Sequence, residues 1–176
     1  MKQAPAPIDI DAALFTLGEL AEVAGIKRGL VDVWSHRGVI APTRVARVSG
    51  RRRGLFSVRA IVRARLVRVL GEHVAMGPAE SAGLAKDSGS VEVADMMAGE
   101  DWMFAARRNP HLGYSVAVAR IENCWRWKLI TKGEDTASYF GPAVPFIVLP
   151  IWHIFNEVYR ACIALHENEP EKSSDG

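Results

Sequence analysis

The sequence predicts an α+β chain. An N-terminal unit of helix, tight turn, helix, basic hairpin and further helices precedes a small α/β unit with a short sheet and a C-terminal amphipathic helix. Three observations carry this. Apolar residues recur every three to four positions in two short stretches on either side of Gly25, the period of a helix packed on one face. The stretch "TRVARVSGRRRGLFS", 43–57, reads as two extended runs about an arginine-rich turn. Beyond residue 90 the apolar residues alternate in steps of two, as in half-buried strands, until a helical stripe returns at 151.

Residues 1–13 hold two Pro and little periodicity, and read as a flexible leader. In the first helix Leu17, Leu20, Ala21, Val23 and Ala24 share a face. Thr16 and Glu19 form a capping-box pair before it, and Gly25 ends it in a left-handed conformation. Ile26 is expected to plug the turn. The second helix runs from Lys27 to Arg37, stopped by Gly38, and Trp34 is expected to pin it to the core with Leu20, Val23, Leu30 and Phe56. Pro42 then forces an extended chain. In the hairpin, Val45 and Val48 flank the first strand, "SGRRRG" is the turn and "LFS" the returning strand. Ser57 caps a third helix to Val74 with Ile61, Leu66, Val69 and Leu70 as its stripe and Arg59, Arg63, Arg65 and Arg68 on its other faces. Pro78 and Glu80 open a short fourth helix. These elements make one domain over 14–86, and "DSGS" at 87–90 reads as a linker.

The second unit spans 91–167. A short helix over 91–100, a strand in "DWMFAARR", a turn in "NPHLG" and alternating strands in "YSVAVARI" and "CWRWKLIT" are expected. "PFIVLP" reads as a short buried strand or the lead-in to a helix over 151–167. The tail, 168–176, reads as disordered.

The charge is divided between the halves. Residues 1–76 hold 13 Lys and Arg against 6 Asp and Glu, a net of +7, whereas residues 77–176 hold 9 against 14, a net of −5. A basic module that meets a polyanion, joined to a module with another task, fits this division. Two Cys without a short spacing imply neither a disulfide framework nor a zinc module, so a cytoplasmic, nucleoid-associated protein is expected. The most apolar run, 142–155, contains three Pro and is shorter than a membrane span needs.

Helix, tight turn, helix, basic hairpin, helix is the grammar of a winged helix–turn–helix. The residues at fixed places also carry a resemblance: Leu17-Gly18-Glu19-Leu20-Ala21, Arg37-Gly38-Val39-Ile40 with Pro42, Leu55-Phe56-Ser57, and Gly77-Pro78 with Glu80. In this order the first half of the chain resembles the DNA-binding domain of the bacterial MerR family. The resemblance implies double-stranded DNA as partner, with the second helix as reader and the hairpin as wing. Lys27 and Arg28 at the start of the reader suit a phosphate or a guanine edge. His36 and Arg37 end that helix. Arg44, Arg47, Arg51, Arg52 and Arg53 on the hairpin would reach the sugar–phosphate backbone or a minor groove. The chain departs from the family at Asp32 and Val33, where an Arg–Tyr pair is usual, and at Arg53-Gly54 in the wing. Asp32 has two readings, an acceptor for a cytosine amino group or an orienting partner for Arg28 one turn earlier; the second is preferred.

The second half does not follow the family plan of one long dimerisation helix. It is expected to join two chains through its sheet and the 151–166 helix. An alternative is a sensing pocket lined by Trp102, Tyr114, Trp125, Trp127 and Trp152. Cys124 and Cys162, with His153 or His166 nearby in sequence, read as buried structural residues, not as metal ligands. No nucleophile elbow, phosphate-cradling glycine loop or metal triad appears, so no enzyme activity, cofactor or metal is expected. The functional expectation is a dimeric, sequence-specific transcriptional regulator. The alternative is a phage-type or architectural DNA-binding protein, akin to an excisionase or a terminase small subunit, that recruits a protein partner.

Overall fold

A computed structural model describes residues 8–48, 51–87, 115–130 and 135–168. Helix α1 (Leu17–Ala24) begins at Thr16, whose hydroxyl accepts from the Glu19 amide at 3.3 Å while the Glu19 carboxylate accepts from the Thr16 amide at 2.5 Å. The capping box is therefore complete, with two otherwise orphaned donors satisfied. Gly25 ends α1 at φ 66°, and the Ile26 amide donates to the Ala21 carbonyl at 2.8 Å. Ile26 is buried in this turn. Helix α2 (Arg28–His36) buries Val31 and Trp34 and is stopped by Gly38 at φ 70°. Leu30, expected in the core, is 44% exposed. Val31 and Trp34, three residues apart, face the core, and Leu30 falls beside that stripe.

Strands β1 (Arg44–Val48) and β2 (Arg51–Leu55) pair antiparallel, Arg44 opposite Leu55 and Val48 opposite Arg51. The returning strand thus starts at Arg51, not at Leu55: the arginines expected in the turn are strand residues, paired through their backbone. Phe15 and Phe56, both buried, exchange backbone hydrogen bonds of 3.0 and 2.7 Å and fasten the ribbon to the chain entering α1. Ser57 accepts from the Ala60 amide at 3.3 Å to cap helix α3 (Val58–Val74), and Thr43 binds Ser57 at 3.0 and 3.1 Å. One serine therefore ties the ribbon base to the helix start.

Helix α3 buries Val58, Ile61, Val62, Ala64, Leu66, Val67 and Leu70, more than the single stripe expected. The cause is long-range: α1 packs on one part of it, helix α4 (Pro78–Asp87) on another and the C-terminal helix on a third. In the second half, β3 (Ser115–Ile121) lies between β4 (Cys124–Ile130) and β5 (Phe146–Leu149), both antiparallel to it, and a helical turn α5 (Ala137–Phe140) precedes β5. Glu122 and Asn123 both take positive φ in the two-residue β3–β4 turn. Val116 and Val118 face the main core, whereas Ala117 and Ala119 form a smaller cluster with Ile130 and Phe140 on the other face.

Helix α6 (Ile151–Asn168) turns Ile151, Ile154, Phe155, Val158, Tyr159 and Cys162 into the main core, where it packs against α3, α1 and β3. Its apolar stripe is therefore occupied within the chain. The stretch before Leu14, expected as part of a flexible leader, is held from Ile8 onward. Ile8 and Ile10 are buried, the Ile8 amide donates to the Tyr159 hydroxyl at 3.2 Å, and Asp11 pairs with Arg59. Cys162 is fully buried, and burial pushes its thiol up to about 12. Cys124, expected to be buried, is exposed on β4. Trp125, Trp127 and Trp152 pack against the main core. Trp102, Tyr114, the 91–100 helix, the "DWMFAARR" strand, most of the linker and the tail from residue 169 lie outside the described residues. No helix among the described residues is long and apolar enough to cross a membrane.

Candidate nucleic-acid interface

Helix α2 has one face in the core and the other in solvent. Val31 and Trp34 hold it down, so Gly29, Asp32, Val33 and His36, spaced by three and four residues, form its outer ridge, and all four are exposed. Lys27 is the N-cap and makes no side-chain cap bond, so the first amides of α2 point outward without an acceptor from that side chain. Arg28 is the first helical residue, His36 the last, and Arg37 the C-cap. Lys27 and Arg28 thus stand about 12–15 Å along the axis from His36 and Arg37, at 1.5 Å per residue. The expected reader residues are not one cluster; they mark the two ends of one exposed helix. His36 holds its Nδ1 2.8 Å from the Asp32 carbonyl, which fixes its ring over the last turn.

The ribbon concentrates charge more strongly. Its ten strand residues include Arg44, Arg47, Arg51, Arg52 and Arg53, all exposed. Residues opposite each other share a face, so Arg47 and Arg52 stand together on one side and Arg44, Arg51 and Arg53 on the other. Like charges directly opposite destabilise a ladder in isolation, and an anion placed there reverses the sign. Gly54 keeps the ribbon close to the preceding segment: a Cβ there would stand 3.0 Å from Pro42 Cβ.

The arginines of α3 are arranged otherwise. Arg65 donates to the Ala24 carbonyl at 3.1 Å, and Arg68 donates to the Gly25 carbonyl at 2.5 Å and to Glu72 at 2.7 Å. They satisfy the carbonyls left open where α1 ends. A Cβ on Gly25 would stand 2.1 Å from Arg68 Nη1 and 2.8 Å from Arg65 Nη1, so these guanidinium groups occupy the space that glycine leaves. Arg59 grips Asp11 at 2.6 and 2.9 Å, and that hydrogen bond holds the Asp11 carboxyl below its usual range. By contrast, Lys27, Arg28, Arg37, Arg44, Arg47, Arg51, Arg52 and Arg53 form no ion pair among the described residues. Arg28 and Asp32 do not meet either, which corrects the preferred reading of Asp32 as an orienting partner.

Sequence reasoning assigned Asp32 a base-contacting role only as the less favoured of its two readings and left Val33 out of the exposed ridge. The signal was available: once Val31 and Trp34 are taken as the buried pair, helical spacing puts 29, 32, 33 and 36 outside.

A search among curated proteins finds no match to the chain. Residues 15–84 match the family model described as MerR HTH family regulatory protein. That segment runs from the Phe15 bridge through α1, α2, the ribbon and α3 into α4, and it is a MerR-type helix–turn–helix domain.

Proposed function

We propose that the protein is a sequence-specific DNA-binding transcriptional regulator. Helix α2 enters the major groove, and the β1–β2 ribbon reaches the flanking backbone. Lys27, Arg28, His36 and Arg37 act from the two ends of the reader, and Arg44, Arg47, Arg51, Arg52 and Arg53 from the wing. The observation that carries this reading is the ribbon itself: five exposed arginines, two of them directly opposed, on a domain of MerR type. A polyanion supplies the counter-charge, and each phosphate neutralised adds about −0.9 to the slope of log affinity against log salt.

The protein is proposed to act in the cytoplasm, on the nucleoid, as a homodimer through its C-terminal half, since two half-sites give affinity and palindromic specificity. What supports a second copy there is the outer edge of the sheet. Among the described residues strand β5 pairs on one side only; it lies between Pro145 and Pro150, carries no charge, and leaves Phe146, Ile147 and Val148 38–44% exposed. An uncharged edge that pairs antiparallel with its own copy gives a two-fold contact.

Sequencing the DNA that co-purifies with the protein from cells tests the function, combined with transcript profiling of a deletion strain. Enriched inverted repeats in promoters whose transcripts change are expected; enrichment without altered transcripts would favour the architectural role, and no enrichment would overturn DNA reading. For the dimer, Ile147→Lys with Val148→Lys is expected to yield a monomer in sedimentation. A monomeric wild type would contradict it.

A further inference from the structure

Between Val23 and Gly71 the chain carries twelve Lys and Arg and a single acid, Asp32. That one carboxylate is exposed on the outer ridge of α2, beside Gly29 and Val33. Among the described residues it has no ion pair and no side-chain hydrogen bond, and the nearby His36 ring binds its backbone carbonyl instead. An acid in this place repels phosphates, so it weakens binding to DNA in general. It gains a favourable partner only where the DNA presents a hydrogen-bond donor.

We propose that Asp32 is a specificity-determining residue that accepts a hydrogen bond from the exocyclic amino group of a cytosine in the major groove. This inference rests on the DNA-reading function proposed above. The chemistry of the groove singles out cytosine. Guanine offers two acceptors there, thymine an acceptor and a methyl, and adenine a donor with the N7 acceptor beside it; cytosine offers its amino donor. A carboxylate is an acceptor only, so it is repelled by guanine and thymine and half-opposed by adenine. Neighbouring residues permit the approach: Gly29, one turn before, has open space where a Cβ would be, and Val33 adds an uncharged contact surface. Asp32 thus trades general affinity for discrimination, the repulsive element that specificity requires.

Selection from a randomised duplex library, with wild type, Asp32→Asn and Asp32→Ala in parallel, tests this. Wild type is expected to require cytosine at one position of each half-site, with roughly 5- to 150-fold weaker binding when that base is changed. Asp32→Asn is expected to move the preference at that position to adenine, whose N6 and N7 an amide matches. Asp32→Ala is expected to lose the preference there while binding random duplex more tightly. Both variants leave an exposed helix position apolar contacts do not use, and unchanged thermal unfolding checks this. Identical base preferences for all three proteins would overturn the inference and leave the DNA-reading function standing. A wild type that retains no duplex even at low salt would overturn both.

Discussion

Helix α3 and the β1–β2 ribbon each carry a run of arginines, and the two runs end in different places. Arg59, Arg65 and Arg68 reach a carboxylate or the carbonyls that close α1, and their guanidinium groups are part of the fold. Arg44, Arg47, Arg51, Arg52 and Arg53 end in solvent, with no ion pair among the described residues. Residue type is the same in the two regions, although the ribbon packs its arginines more densely. The difference is whether the native chain provides an acceptor at the right distance. A cluster of positive charge therefore says little about its task until its partners are known: charge satisfied inside the molecule is structural, and charge left open is available to a partner.

Substitutions can break or sharpen this contrast. Arg65→Ala with Arg68→Ala should have the largest effect on stability. It removes charge-assisted bonds that are only partly exposed, which destabilises by about 2 kcal/mol after allowing for solvent. In thermal unfolding that lowers Tm by roughly 4–8 °C for a chain of this size. Gly25→Ala attacks the same junction from the other side. It places a side chain in the left-handed region and displaces both guanidinium groups, and a loss of about 1–2 kcal/mol is expected in urea titration.

On the ribbon the sign should reverse. Arg47→Ala relieves the repulsion with Arg52 and is expected to raise stability by about 0.2–0.5 kcal/mol in the absence of DNA. A clear loss of stability would show that the ribbon arginines hold the fold after all. The smallest effect belongs to the Asp11–Arg59 pair, whose carboxylate is exposed. Because the hydrogen bond from Arg59 lowers the folded carboxyl's pKa, its stabilisation is present above the usual carboxylate range and is lost as pH falls below that range through the folded carboxyl's lowered pKa. Asp11→Asn should unfold slightly earlier than wild type near neutral pH, and the gap should close on acidification.

Much of the fold was legible in local signals. Thr16 with Glu19, Gly25, Gly38, Ser57 and the step-of-two period of 115–130 are each decided by a few neighbouring residues, and each sits where those residues dictate. What was not legible depends on distant partners. Nothing near Arg65 reveals that its acceptor is the carbonyl of Ala24, forty-one residues earlier. The extra apolar face of α3 makes sense only once α6 arrives, and the burial of Ile8 only through Tyr159. The register of the arginines was misread for a local reason: "SGRRRG" has turn composition, yet the pairing of Val48 with Arg51 extends the ladder through all three arginines. At the candidate site, the basic residues were legible as residue types. The outward ridge of α2 became clear only when Val31, not Leu30, proved to be the buried partner of Trp34.

The contrast between the two sets of arginines is tested most directly by the salt dependence of DNA binding. Wild type, Arg51→Ala/Arg52→Ala/Arg53→Ala and Arg65→Ala/Arg68→Ala would be titrated with one duplex from low to moderate salt. The ribbon variant should bind more weakly, with a slope of log affinity against log salt shallower by up to about 2.7, and unfold at or slightly above the wild-type Tm. The α3 variant, kept below its lowered Tm, should keep the wild-type slope. Equal slopes for wild type and the ribbon variant, or a shallower slope for the α3 variant alone, would contradict the account.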